Sequence, residues 1–164
     1  MAKETDKLKR EEAMLLFRQA YEHQMKGELE EAIELYQNSI RVFPTAESHT
    51  FLGWTYSFMG QWDEAIQECL KAIEVDPTFG NPYNDIGAYL VEKDLLDKAI
   101  PWFERAFKAP RYENYCFPHF NLGRVYERKK NYRGALEEYR KALAENPQHV
   151  GALQSLRRLQ AMMN

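Results

Sequence analysis

AESHTFLGWTYSFMGQWDEAIQECLKAIEVDP, residues 46–77, decides how the rest of the chain is read. Leu52-Gly53, Tyr56, Gly60, Ala65, Ala72 and Pro77 stand in it at spacings that recur elsewhere in the sequence. On either side of Gly60, apolar residues fall at steps of three and four, the period of an amphipathic helix. Glycine ends a helix readily because it tolerates the left-handed backbone, and Pro77 cannot continue one. The stretch predicts a helical hairpin.

Reading outward, the same arrangement recurs. Before it, Ala13, Leu16, Phe17, Ala20 and Tyr21 form one apolar stripe from Arg10, Gly27 breaks it, and Ala32, Ile33, Tyr36 and Ile40 form a second, closed by Pro44. After it, a unit opens at Gly80, turns at Lys93-Asp94 and ends near Pro110. The next opens at Cys116, turns at Lys130-Asn131 and ends at Pro147. Starts at 13, 46, 80 and 116 are 33, 34 and 36 residues apart, the period of a solenoid of helix pairs. The predicted fold is all-α, with repeats over 13–45, 46–79, 80–115 and 116–149 in one domain spanning 10–163. Residues 1–9 lack an apolar period and are expected to fray. The helix over 149–163 is expected to cap the stack, with Val150, Leu153, Leu156 and Leu159 on its apolar side. Pro101 falls early in a second helix, where its lost hydrogen bond is tolerable. APRYENYCFPHF is two residues longer than the period requires, so the bend there should differ.

Composition narrows the function. The chain has 164 residues, 45% apolar and 29% charged, with a net charge of −3. That balance argues against nucleic acid as a partner, since phosphate recognition needs a concentrated basic surface. Two cysteines far apart, Cys69 and Cys116, read as reduced thiols, and no run is apolar enough for a leader or a membrane span. A cytoplasmic protein with no membrane association is the expectation.

No catalytic or metal-binding pattern emerges, and no cofactor is expected. His23, His49, His119 and His149 are scattered and read as structural imidazoles, and there is no glycine-rich phosphate loop. Cys69 reads as core. Cys116 opens a helix, where the N-terminus favours thiolate. Glu28-Glu30-Glu31 and Glu137-Glu138 read as solvated outward charge. The chain reads as a non-enzyme.

The recurring residues resemble the tetratricopeptide repeat family, whose pattern is W-x2-L-G-x2-Y, then A-x3-F and a closing proline. The second unit matches it with Leu52, Gly53, Tyr56, Ala65, Ala72 and Pro77; the third with Tyr83, Gly87, Ala99 and Phe103; the fourth with Leu122, Gly123, Tyr126, Ala135, Tyr139 and Pro147. The first keeps only Ala32, Tyr36 and Pro44. The resemblance implies a right-handed superhelix whose first helices line a concave groove for a protein partner. Carried over by register, the groove residues are Phe17, Tyr21, Trp54, Phe58, Asn81, Asn84, Phe117, Phe120, Arg124 and Arg128, with Trp54 and Phe120 expected to be exposed. Members that hold chaperone tails use a lysine, asparagine and arginine carboxylate clamp. Phe17, Tyr21, Asn81 and Asp85 stand at those positions here, so no Hsp90-type clamp is expected.

The leading expectation is a protein-binding adaptor or scaffold. The alternatives are a cell-envelope or pilus-assembly protein and a self-associating scaffold. PRYENYCFPHFNLG resembles pilus-assembly tetratricopeptide lipoproteins, although those carry a signal and an early lipid-modified cysteine, neither of which stands in this sequence.

Overall fold

A computed structural model describes residues 1–164. Nine helices follow one another: α1 Ala2–Met25, α2 Leu29–Val42, α3 Ala46–Phe58, α4 Trp62–Val75, α5 Asn81–Glu92, α6 Leu96–Lys108, α7 Cys116–Arg128, α8 Tyr132–Glu145 and α9 Val150–Met163. They pair as hairpins, each first helix packing on its second, and each second helix packing on the first helix of the next unit. Successive first helices α1, α3, α5 and α7 also touch in turn, which makes one continuous face.

The hairpin turns share one backbone solution. Gly27 and Gly60 take φ of +79° and +71°, while Asp94 and Lys130 reach φ of 59° and 60° at the equivalent places. The two later turns carry left-handed strain that glycine avoids. Helix α1 starts at Ala2 rather than Arg10, and its first turns are exposed all round. An apolar stripe locates the packed part of a helix; Lys, Glu and Leu extend it beyond that part by propensity alone. Helix α6 runs unbroken through the exposed Pro101.

The core is a chain of small clusters, each spanning one hairpin and the next first helix. Ala20, Ala32, Tyr36 and Leu52 form one, and Ala65, Cys69, Ile86 and Tyr89 the next. Val91, Ala99, Phe103, Leu122 and Val125 join the third and fourth hairpins. Ala135, Leu136, Tyr139 and Leu159 tie in α9 as a cap, which Arg158 locks with a 3.0 Å hydrogen bond to Glu127. Val150 points to solvent, and Ala152 takes the buried place instead. The long linker between α6 and α7 runs beside residues 78–80: Arg111 N–H donates to the Thr78 carbonyl at 2.9 Å, and Gly80 N–H to the Arg111 carbonyl at 3.1 Å. Helix α7 packs more sparsely on α6 than α5 does on α4.

Candidate functional site: a groove between first helices

The face made by the first helices holds a hollow of about 330 Å³. Helix α3 contributes Thr50, Phe51 and Trp54; α5 contributes Asn81, Asn84 and Asp85; the linker adds Tyr112 and Asn114, and α7 adds Phe117. Thr50 and Phe51 stand four and three places before Trp54, and Asn84 and Asp85 three and four places after Asn81, so each helix presents its residues on one side. The linker ring is admitted by an absent side chain: a Cβ on Gly80 would lie 2.2 Å from the Tyr112 Cβ. A ladder of rings extends the wall toward α1, with centroid separations of 5.1 Å for Phe17–Phe51, 5.8 Å for Tyr21–Phe51, 5.6 Å for Phe51–Trp54 and 5.1 Å for Trp54–Phe58. Tyr21, Phe58 and Phe117 are 40%, 52% and 46% exposed at its edges.

Of the ten residues named from sequence, Trp54, Asn81, Asn84 and Phe117 converge on this hollow. Phe17 belongs to a neighbouring hollow with Arg10, Phe43 and Glu47, joined to the first through Phe51. Phe120, Arg124 and Arg128 lie apart, beside Tyr132 and Arg158 near the cap. Phe120 is half-buried rather than exposed, stacked 4.8 Å from the His149 ring and 5.9 Å from Tyr139. The start of α9 covers it, since a Cβ on Gly151 would lie 2.9 Å from its ring. Trp54 is also half-buried, gripped by Phe51 and Phe58.

The arginines, expected to await an acidic group, are engaged within the chain. Arg124 donates to Glu92 at 2.6 Å and Arg128 to the Val91 carbonyl at 2.8 Å. Asn84 is buried and accepts from Asn121 at 3.2 Å, a bond between first helices. Phe51, Asp85, Tyr112 and Asn114 also line the groove, although the sequence did not mark them as site residues. Phe51 stands three places before the expected Trp54 on the same helix, and Tyr112 lies in the stretch where the period slips.

Asp85 is the unusual group. Burial raises its carboxyl from the ordinary 3.8 to about 7, against a weak opposing contact from Asn84 at 3.4 Å. Its folded value is raised, so its contribution to stability is fully present below pH 3.8 and is lost as pH rises toward about 7. Asp85→Asn is therefore expected to stabilise the protein above pH 7, by about 2 kcal/mol once the solvent at the groove edge is allowed for, and to change little near pH 4. Urea unfolding at both pH values measures this.

Elsewhere, a buried polar unit occurs twice. His49 Nδ1 lies 2.7 Å from Glu68 Oε2, and His119 Nδ1 lies 2.7 Å from Glu138 Oε2. Lys71 and Lys141 hold the other carboxylate oxygens at 2.7 and 3.0 Å. Glu138 is thus a buried, paired residue and not solvated charge. Burial acts to raise both carboxyls, yet the bonds from His and Lys outweigh it and hold them below their ordinary value. Cys116 is corrected too: burial pushes its thiol up, and two backbone N–H contacts at the helix start do not offset this. No group of three or more His, Cys, Asp or Glu is placed to hold a metal ion, and no helix is long and apolar enough to cross a membrane.

Comparison with known proteins agrees with this geometry. The tetratricopeptide repeat model matches residues 46–79 and 116–149, the second and fourth hairpins. With the repeated hairpins and the cap, this shows two tetratricopeptide repeats within a helical solenoid of the tetratricopeptide repeat type. Among solved structures, Pseudomonas aeruginosa PilF shares the fold with a TM-score of 0.84 at 21% identity, over 94% of this chain and 70% of that one. PilW, a widely conserved type IV pilus biogenesis factor, gives 0.84 at 17% identity, over 92% and 69%. YrrB, a tetratricopeptide repeat protein with an unusual peptide-binding site, gives 0.69 at 22%, over 87% and 73%. At these identities the likeness is one of fold. No curated protein matches the sequence.

Proposed function

We propose that this protein is a non-catalytic adaptor or scaffold that takes an extended or helical segment of a partner protein along the groove of its first helices. The observation that carries the reading is the hollow between α3, α5 and α7, walled by Phe51, Trp54, Tyr112 and Phe117 and bordered by Asn81, Asn84 and Asn114. Rings supply contact area at low entropic cost, and amide side chains pair with a peptide backbone. The peptide-binding site of YrrB, on the same fold, supports it. An acidic chaperone tail is not the expected ligand, because Asp85 stands in the groove and Arg124 and Arg128 are already engaged. Affinity for such a tail at physiological salt would count against the reading.

The test is capture of partners from native lysate by wild type and by a Trp54→Ala, Phe117→Ala double variant of unchanged helicity. Loss of two aromatic anchors is expected to weaken a groove-bound partner by about thirtyfold or more. Equal capture would move the interface to the convex face or the cap. Recovery of the protein alone would favour self-association, which sedimentation at several concentrations measures.

A second reading is a role in cell-envelope or pilus assembly, supported by the fold shared with PilF and PilW over most of this chain. The first reading places the protein in the cytoplasm and the second in the envelope. Fractionation of the source cells separates them.

A further inference from the structure

The groove holds a negative charge that the fold leaves without a partner. Asp85 takes part in none of the chain's ion pairs. Its hydrogen bonding amounts to the 3.4 Å contact from Asn84, at the long limit of such bonds. Arg111, beside Tyr112 in the linker, is held away by Glu47 at 3.0 Å and Asp76 at 2.8 Å. No basic side chain lines the hollow; rings and amides surround the carboxyl instead.

The geometry points to a pocket for one cationic side chain, an alkylammonium or guanidinium, carried by the segment that the groove binds. The inference rests on the groove reading and names the chemistry it selects. Asp85 supplies the counter-charge, and the rings of Trp54, Phe51 and Tyr112 line the same hollow. Ring faces attract cations, and a half-desolvated carboxylate attracts them more strongly than one in water. An acidic side chain would meet repulsion. An apolar one would bury the carboxyl further and leave it unpaired, at a cost. The hollow, about 330 Å³, suits a single long side chain and is far too small for a folded element. Burial that now pushes the Asp85 carboxyl upward is the cost that a bound cation would offset.

The test is an amide-resolved NMR titration of the whole chain at pH 8, where the carboxyl is ionised and a lysine amine still protonated. The probes are Nα-acetyl-lysine methylamide and its neutral counterpart, Nα-acetyl-norleucine methylamide. The lysine probe is expected to shift residues 81–85 and 112–117 and to bind about tenfold more tightly than the norleucine probe, with the preference gone in Asp85→Asn. Trp54→Leu, which keeps the charge and removes the indole, should weaken the lysine probe while retaining part of the preference. Equal affinities in wild type, shifts centred elsewhere, or a preference that survives Asp85→Asn would each overturn the inference. Discrimination between the probes without any groove-dependent partner would sink the groove reading and leave this pocket standing. A groove-dependent partner without discrimination would do the reverse.

Discussion

Gly87→Ala is expected to lower the unfolding free energy by about 3 kcal/mol, the upper end of the range for overpacking a core. A Cβ there would lie 2.5 Å from Phe103 Cε1 and 2.8 Å from its Cδ1 and Cζ. Phe103 cannot retreat, because it is fully buried against Val91, Leu122 and Val125. Gly123 repeats the arrangement, with its Cβ position 2.4 Å from Tyr139, whose hydroxyl donates to Glu127 at 2.7 Å. Shifting that ring would strain the bond that links it to α7, so Gly123→Ala should cost at least as much. Unit two differs: the Gly53 Cβ would strike the Ala65 carbonyl at 2.8 Å. Gly27→Ala is the informative control. Nothing lies within 4 Å of its Cβ, so only the backbone penalty of a positive φ remains, about 1 kcal/mol. Urea unfolding with unchanged m-value measures all four. Equal losses for Gly27→Ala and Gly87→Ala would show that helix approach is not what these glycines provide.

The second large effect concerns the buried His–Glu units. Glu68→Ala is expected to cost about 3 kcal/mol at pH 7, because it strands the His49 ring without its partner in a buried site. Glu138→Ala should cost a similar amount at the other end of the stack, and the two losses should nearly add, since they lie in separate hairpins. The exposed lysines contribute little, so Lys71→Ala and Lys141→Ala should stay within about 1 kcal/mol of wild type. The pH dependence has a definite sign. Both glutamates sit below their ordinary 4.5 in the folded state, so their stabilisation is present above pH 4.5 and is lost as pH falls below it. A double Glu68→Gln, Glu138→Gln variant should lose much of that acid dependence. In an Asp85→Asn background, which removes the opposing titration of that carboxyl, equal stability at pH 3 and at pH 6 would contradict the pairing.

These units show what a sequence carries and what it does not. His49 and His119 are legible as structural imidazoles, because each falls where the repeat packs its first aromatic. Their partners are not, since Glu138 stands in a run of charge that looks solvated, and only the crossing of α7 over α8 buries it against His119. The hairpin turns were legible even where glycine is missing. Asp94 and Lys130 adopt the left-handed turn where the period demands one, because register leaves the chain no other place to reverse. The start of α1 was not, since a helix can continue past the last residue that packs.

The groove divides along the same line. Trp54, Asn81, Asn84 and Phe117 repeat at helical spacing on first helices, so register alone places them on one face. Tyr112 enters from the irregular linker, held there by backbone pairing with residues 78–80 and by the space at Gly80. Phe120 shares the register of Phe117 yet lies beneath the cap, which the repeat pattern does not position. Sequence alone determined the helices, their turns and the stacking period, because those depend on the order of neighbouring residues. Only the tertiary structure decided that Asp85 lacks a counter-ion while Arg124 and Arg128 have theirs, because pairing depends on distances between helices that no local pattern encodes.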